Sequence, residues 1–117
     1  MKYICLVYLV EKDMVAMSKT EADACTDESL ACDDALRTSG HLVLAHALQP
    51  VETATTVRVR NGKLWATDGP FAATREQLGG FVLIEARDLN DAIQVAARLP
   101  LARHGCIEVR PIKELRP

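Results

Sequence analysis

Residues 2–10 read KYICLVYLV, and this stretch decides the fold because it is apolar on both phases of a two-residue period. A strand with that pattern is covered on both of its faces. Residues 81–86, FVLIEA, show the same pattern. The sequence therefore predicts two strands at the centre of a sheet, with the rest of the chain flanking and covering them.

Two helices are predicted between the strands. Ser18 and Glu21 have the spacing of a capping box, which predicts a helix over residues 19–38. Asp88 is expected to cap a second helix, which ends before Pro100. The apolar seam of the first helix is made of Ala22, Cys25, Cys32 and Leu36, interrupted by Ser29; that of the second is made of Leu89, Ala92, Ile93, Ala96 and Leu99.

The remaining segments are shorter. A strand is predicted over residues 42–48, with Leu42, Leu44, His46 and Leu48 on one side. Asn61-Gly62 lies between two alternating segments, 55–60 and 63–67, and is the strongest hairpin signal in the chain. Residues 74–78 are expected to form a short helical turn, and residues 106–112 a last, half-polar strand.

The order of these elements predicts a single α+β domain over residues 1–117. It follows the ferredoxin-like β-α-β-(hairpin)-β-α-β plan, in which the first and third main strands are central. Two helices cover only one face of such a sheet, and the other face needs a second cover. Another copy of the same sheet is the simplest one, so we expect a homodimer.

Composition excludes several classes of protein. Of 117 residues, 49% are hydrophobic and 26% charged, and the net charge of −2 argues against nucleic-acid binding through a basic surface. No apolar run is long enough for a membrane span and no signal peptide is recognised, so a cytoplasmic location is expected. The four cysteines form no CxxC pair, and with the three histidines they lack metal-ligand spacing. We therefore expect no metal and no cofactor.

Residues 67–81, TDGPFAATREQLGGF, resemble the YCII-related family, specifically the branch named after its Asp-Gly-Pro-Phe tetrapeptide. The resemblance extends along most of the chain. It includes the opening strand, the LQP segment at 48–50, the Thr-rich stretch 53–58 and the VRP ending at 109–111.

This resemblance implies a dimeric α/β-barrel with a cleft between sheet and helices in each protomer. Relatives of the family with the same architecture include lactone isomerases, a dehydrochlorinase and cofactor-free monooxygenases. Members of this branch are often encoded beside extracytoplasmic-function sigma factors. The resemblance also points to a His–Asp pair proposed as catalytic in the YCII branch proper, with the His on the first helix and the Asp just before a Pro that follows the second helix. Here the first helix contains no His and Leu99 precedes Pro100, so that pair is absent.

Asp68 and His46 are the candidate catalytic residues. The rigid Gly-Pro turn after Asp68 would hold its carboxylate as a general base or hydrogen-bond acceptor; the alternative is a local hydrogen bond that fixes the turn. His46 lies among leucines. Because histidine is the side-chain type best suited to proton transfer near neutral pH, His46 is interpreted either as a proton-transfer group or as a packing residue.

Arg75, Arg58 and Tyr8 are the candidate substrate-binding residues. Arginine binds carboxylates and phosphates in a bidentate manner, although alternating charges on a hairpin are also typical of a solvent-facing surface. Two functions remain open: an isomerase, lyase or cofactor-free oxygenase acting on an unknown small molecule, or a non-catalytic ligand-binding or regulatory module linked to a sigma factor.

Overall fold

The computed structural model describes residues 1–116 and confirms the α+β class. A four-stranded antiparallel sheet has the order β2-β5-β1-β6, which places both doubly apolar strands at its centre. A separate pair, β3-β4, forms a hairpin. The elements are β1 (Lys2–Leu9), α1 (Glu11–Val15), α2 (Lys19–Thr38), β2 (Leu42–Ala47), β3 (Thr55–Arg60), β4 (Lys63–Asp68), β5 (Gln77–Glu85), α3 (Leu89–Arg98) and β6 (Cys106–Pro111), with 3₁₀ turns at Val51–Thr53 and Pro100–Arg103.

The helices and the sheet enclose one hydrophobic core. From β1 and β5, alternate residues such as Cys5 and Ile84 are fully buried, and they pack with Leu36 of α2 and Val95 of α3. We call this side of the sheet the covered face. The opposite, uncovered face carries the residues between them in the alternation, and these are half-buried or exposed: Ile4, Leu6, Tyr8, Leu44, His46, Phe81 and Leu83.

The predicted helix caps are present. The Ser18 hydroxyl accepts a hydrogen bond from the Glu21 backbone N–H at 3.1 Å, and the Glu21 carboxylate accepts one from the Ser18 N–H at 3.2 Å. At the start of α3, the Asp88 carboxylate accepts a hydrogen bond from the Asp91 N–H at 2.8 Å. These bonds satisfy backbone donors that have no partner within the helix. Both helices therefore begin where the sequence predicts.

The buried side of α3 differs from the prediction. Leu89 and Ile93 are 52% and 47% exposed, whereas Val95 is buried with Ala92 and Ala96. Asp91 lies on the buried side because its carboxylate accepts the Arg87 backbone N–H and contacts the ring of a histidine across the chain. These contacts fix the rotation of the helix about its axis.

Two further predictions are corrected, one for the strand over residues 42–48 and one for the helical turn over residues 74–78. The pairing of β2 with β5 shifts between Leu42 and Leu44, so Leu42 packs against the core whereas Leu44 lies on the uncovered face. Residues 74–78 form no helical turn, because β5 already begins at Gln77. The Gln77 side chain instead donates hydrogen bonds to the carbonyls of Ala72 and Thr74, which holds the preceding segment in an irregular loop.

Residues 55–68 form a hairpin arm that stands apart from the main sheet. Asn61 and Gly62 have φ values of +52° and +73°, as a two-residue hairpin turn requires. One side of the arm is apolar and exposed, and it consists of Val57, Val59, Leu64 and Ala66. With this arm the molecule measures 47 × 47 × 18 Å, a flat shape with large surfaces. Over residues 1–116, no helix is both long and apolar enough to cross a membrane.

Candidate functional site

A cavity of about 640 Å³ lies between the N-terminal part of α2 and one end of the sheet. It forms because α2 presents small side chains there, namely Ala22, Cys25 and Ser29. The buried residue of α2 is Leu36, which lies further along the helix. The helix therefore covers the sheet without filling the space beneath it. The apolar part of the lining includes Val7, Leu9, Met14, Met17, Leu30, Leu78, Val82 and Leu99.

Two carboxylates line this cavity. Glu11 accepts a hydrogen bond from the Val51 backbone N–H at 3.0 Å, which links α1 to the segment after β2. Asp33 of α2 is half-buried, and this burial raises the pKa of its carboxyl group. The neighbouring Asp34 adds to that increase, whereas Arg37 opposes it. An apolar cavity with a few polar groups is typical of small-molecule sites.

Of the two predicted catalytic residues, His46 lines the cavity where it meets the edge strand β2. Its partner in the pairing is Phe81, and their ring centroids are 5.8 Å apart at an interplanar angle of 59°. The register places this pair beside Leu6 on the uncovered face. His46 therefore lies at the boundary between the cavity and the surface that the helices leave open.

Asp68 lies elsewhere in the chain. It ends β4 opposite Thr55 at the base of the hairpin arm, is exposed, and is not among the residues that line the cavity. The turn after it is held by other groups: the Gly69 N–H donates to the Ala54 carbonyl at 2.7 Å, and the Thr56 hydroxyl donates to the Gly69 carbonyl at 2.8 Å. Within one chain, Asp68 and His46 do not share a cavity.

The predicted substrate-binding residues are also dispersed. Arg58 pairs with Trp65 on the hairpin arm, and Arg75 is exposed in the loop before β5. Tyr8 is half-buried on the uncovered face, opposite Cys106. The lining of the cavity includes none of the three. A charge pattern along the sequence therefore did not indicate which residues the fold brings together.

A second constellation was not expected from the sequence. His41 is half-buried: its Nε2 lies 3.2 Å from a carboxylate oxygen of Asp91, and its Nδ1 lies 2.7 Å from the Ser39 hydroxyl. The Arg87 backbone N–H, followed by the Arg87 and His41 side chains, lowers the pKa of Asp91. Because fifty residues separate His41 from Asp91, no local motif could have indicated the contact.

These contacts connect the end of α2 and the start of β2 to α3. The Ser39 hydroxyl also donates to the Leu36 carbonyl at 3.1 Å, which satisfies a carbonyl in the last turn of α2. Within residues 1–116, no group of three or more His, Cys, Asp or Glu side chains has a metal-binding arrangement. Because the contacts of Ser39, His41 and Asp91 join the end of α2 and the start of β2 to α3, we assign them a structural role. We take the 640 Å³ cavity as the candidate site.

Comparison with known proteins identifies the family of the chain. The profile of the YCII-related domain matches residues 1–116. A Rhizobium meliloti (strain 1021) protein described as uncharacterized is 35% identical over 119 residues, a match that covers all of this chain and 96% of that protein. The chain belongs to the YCII-related family.

Proposed function

We propose that this protein is a homodimer of ferredoxin-like protomers that binds a small, mainly apolar molecule in the cavity between α2 and the sheet. The observation that carries the proposal is the cavity itself, about 640 Å³ in volume and lined largely by apolar side chains. This volume lies within the usual range of small-molecule sites. The similar Rhizobium meliloti protein is described as uncharacterized, so it supplies no activity for this proposal.

The uncovered face supports the dimer. Its centre is apolar, with the adjacent pairs Ile4–Leu83 and Leu6–Phe81 on the two central strands. At its edge, Glu108 and Arg110 of β6 have opposite charges, their side chains lying 4.0 Å apart. Two copies of such a face can pack without like-charge repulsion, which favours a second copy of the chain over a charged partner. The resulting assembly would be the dimeric α/β-barrel of the Asp-Gly-Pro-Phe branch.

The proposed activity is binding, with catalysis conditional on the dimer. His46 lines the cavity, whereas Asp68 would act there only if the hairpin arm of a second copy carried it to the site. The exposed apolar side of that arm is suited to contact with a partner. A cytoplasmic regulatory role beside a sigma factor remains the alternative, and the four free cysteines are compatible with that reducing compartment.

The test of the cavity is a matched pair of substitutions on α2. Ser29→Phe places a large side chain in the cavity lining, whereas Ala24→Phe adds the same side chain on the exposed side of the helix. Titration with the neutral apolar dye Nile red should show saturable fluorescence in the unmodified protein and in Ala24→Phe, and its loss in Ser29→Phe. Equal binding by all three proteins would show that the dye binds elsewhere and would overturn the assignment of the cavity.

A further inference from the structure

We infer that the cavity selects an amphipathic amine, a molecule with an apolar body and a single protonated amino group, over an anion of the same size. This inference rests on the proposed function and specifies the class of its ligand. It comes from the charges of the lining residues, which are mainly negative although the whole chain is close to neutral.

Acidic groups dominate the charge of the cavity. Glu11 and Asp33 line it, whereas no lysine or arginine of residues 1–116 does. His46 is the one lining residue that can carry positive charge, and the register places its side chain beside Phe81 on the uncovered face. Two carboxylates therefore line the space beneath α2, and no lysine or arginine of residues 1–116 lines it with them.

The two carboxylates differ in their partners. One oxygen of Glu11 is occupied by the Val51 N–H. Asp33 has no hydrogen bond or salt bridge to any other group in the described chain, although it is half-buried. The nearby Arg37 pairs with Asp34 instead, at 2.7 Å. Asp33 is therefore the acceptor that is free to bind a ligand, with Glu11 adding negative potential from α1.

The chemistry of that acceptor determines the ligand class. A carboxylate that loses part of its hydration without gaining a partner is destabilised, and an ammonium group removes this cost through a charge-assisted hydrogen bond. A ligand carboxylate or phosphate would meet repulsion from two like charges and would lose its own hydration. A neutral alcohol lies between these cases, because it donates a hydrogen bond without a charge.

Three molecules with one alkyl chain test the inference directly: octylamine, octanol and octanoate. At pH 8 the alkyl ammonium group is charged, since amines of this kind titrate near pH 10. Isothermal titration, performed below micelle-forming concentrations, should give the affinity order amine, alcohol, carboxylate. We expect about a tenfold or larger ratio between amine and carboxylate, as for a hydrogen bond to a charged group.

The outcomes separate this inference from the proposed function. If octanoate binds as tightly as octylamine or more tightly, the charge selection is wrong while the cavity remains a binding site. If none of the three binds and the cavity-filling substitution also leaves dye binding unchanged, the proposed function itself fails. The comparison uses the unmodified protein, so it does not depend on whether a variant folds.

A matched pair of variants then assigns the selection to one carboxylate. Asp33→Asn removes the cavity charge, whereas Asp34→Asn removes the adjacent, exposed charge that pairs with Arg37. The preference for octylamine over octanol should decrease in Asp33→Asn, where only the charge of Glu11 is left, and should persist in Asp34→Asn. Circular dichroism should confirm that both variants are folded. An undiminished preference in Asp33→Asn would contradict the role of Asp33.

Discussion

The two faces of the main sheet share the same strands and differ in what covers them. On the covered face Cys5 and Ile84 are completely inaccessible, whereas Ile4 and Leu83, the next residues in the alternation, remain half-buried. Side chains of similar apolar character thus have different environments because α2 and α3 pack on one side only. The apolar pattern of these strands predicts a cover on both faces, whereas the helices of one chain cover only one of them. In the proposed dimer, a second copy would cover the other face.

Removing a side chain from the covered face should have the largest effect. Ile84→Ala leaves a void in the core, and we expect it to lower the free energy of unfolding by about 3 kcal/mol. Leu83→Ala is the matched variant on the uncovered face, where the same measurement should show about 1 kcal/mol or less in the dissociated protomer. Urea denaturation at low protein concentration measures both. Equal losses would contradict the distinction between the faces.

A charge on the uncovered face should separate the protomers. Leu6→Lys places an ammonium group next to Phe81 at the centre of the proposed interface. Its desolvation should raise the dimer dissociation constant by about a hundredfold. Sedimentation velocity over a concentration series measures that constant, with Ala24→Lys on the exposed side of α2 as the control. Dissociation to the same extent in both variants would show that the added charge, and not its position, is responsible.

The hairpin arm should respond locally. Gly62 has φ of +73°, a conformation that costs an L-residue about 1 kcal/mol or more. Gly62→Ala should therefore lower the free energy needed to open the β3–β4 hairpin by that amount. Gly62→Asn is the control, since asparagine tolerates this conformation better. Hydrogen exchange of the arm amides should accelerate in the alanine variant while exchange in β1 and β5 stays unchanged. Acceleration throughout the chain would show that the arm is part of the cooperative core.

The smallest effect is expected at the His41–Asp91 contact at the margin of the core. The pKa of Asp91 is lowered in the folded protein, mainly by the Arg87 N–H. The stabilisation from the ionised carboxylate is therefore complete above the ordinary aspartate pKa of about 3.9 and is lost as the pH falls through the lower folded value. Asp91→Asn should be less stable than the unmodified protein at neutral pH, and the difference should diminish on acidification.

Denaturation curves from pH 2 to pH 7 measure this convergence. Asp34→Asn, at an exposed position of α2, is the control and should remain close to the unmodified protein over the whole range. A stability difference for Asp91→Asn that is independent of pH would show that the carboxylate acts through packing and not through its charge.

The sequence predicted the elements better than it predicted the site. Alternation, the Ser18–Glu21 capping box and the Asn61-Gly62 turn are local, so they located β1, α2 and the hairpin correctly. The cavity exists because the small side chains of α2 leave the space between the helix and the sheet unfilled, which is a tertiary property. Glu11 and Asp33 had no motif to mark them, since only the fold brings α1 and α2 to the same space.

The two corrected strand regions have the same physical origin. A single shift in the β2–β5 register moved Leu42 to the opposite side from Leu44, and the side-chain bonds of Gln77 replaced the helical turn expected before β5. Both depend on partners that are distant in the chain or on side-chain geometry that periodicity does not describe. Asp68 was selected from a local turn, and the placement of that turn on an exposed arm likewise follows from the tertiary structure.

The central claim, that the uncovered face belongs to an interface between two copies, is tested most directly by the mass of the protein in solution. Size-exclusion chromatography with multi-angle light scattering at micromolar concentration should give twice the chain mass of 12.8 kDa. A mass of one chain at that concentration would contradict the claim and would leave the apolar uncovered face without the partner proposed for it.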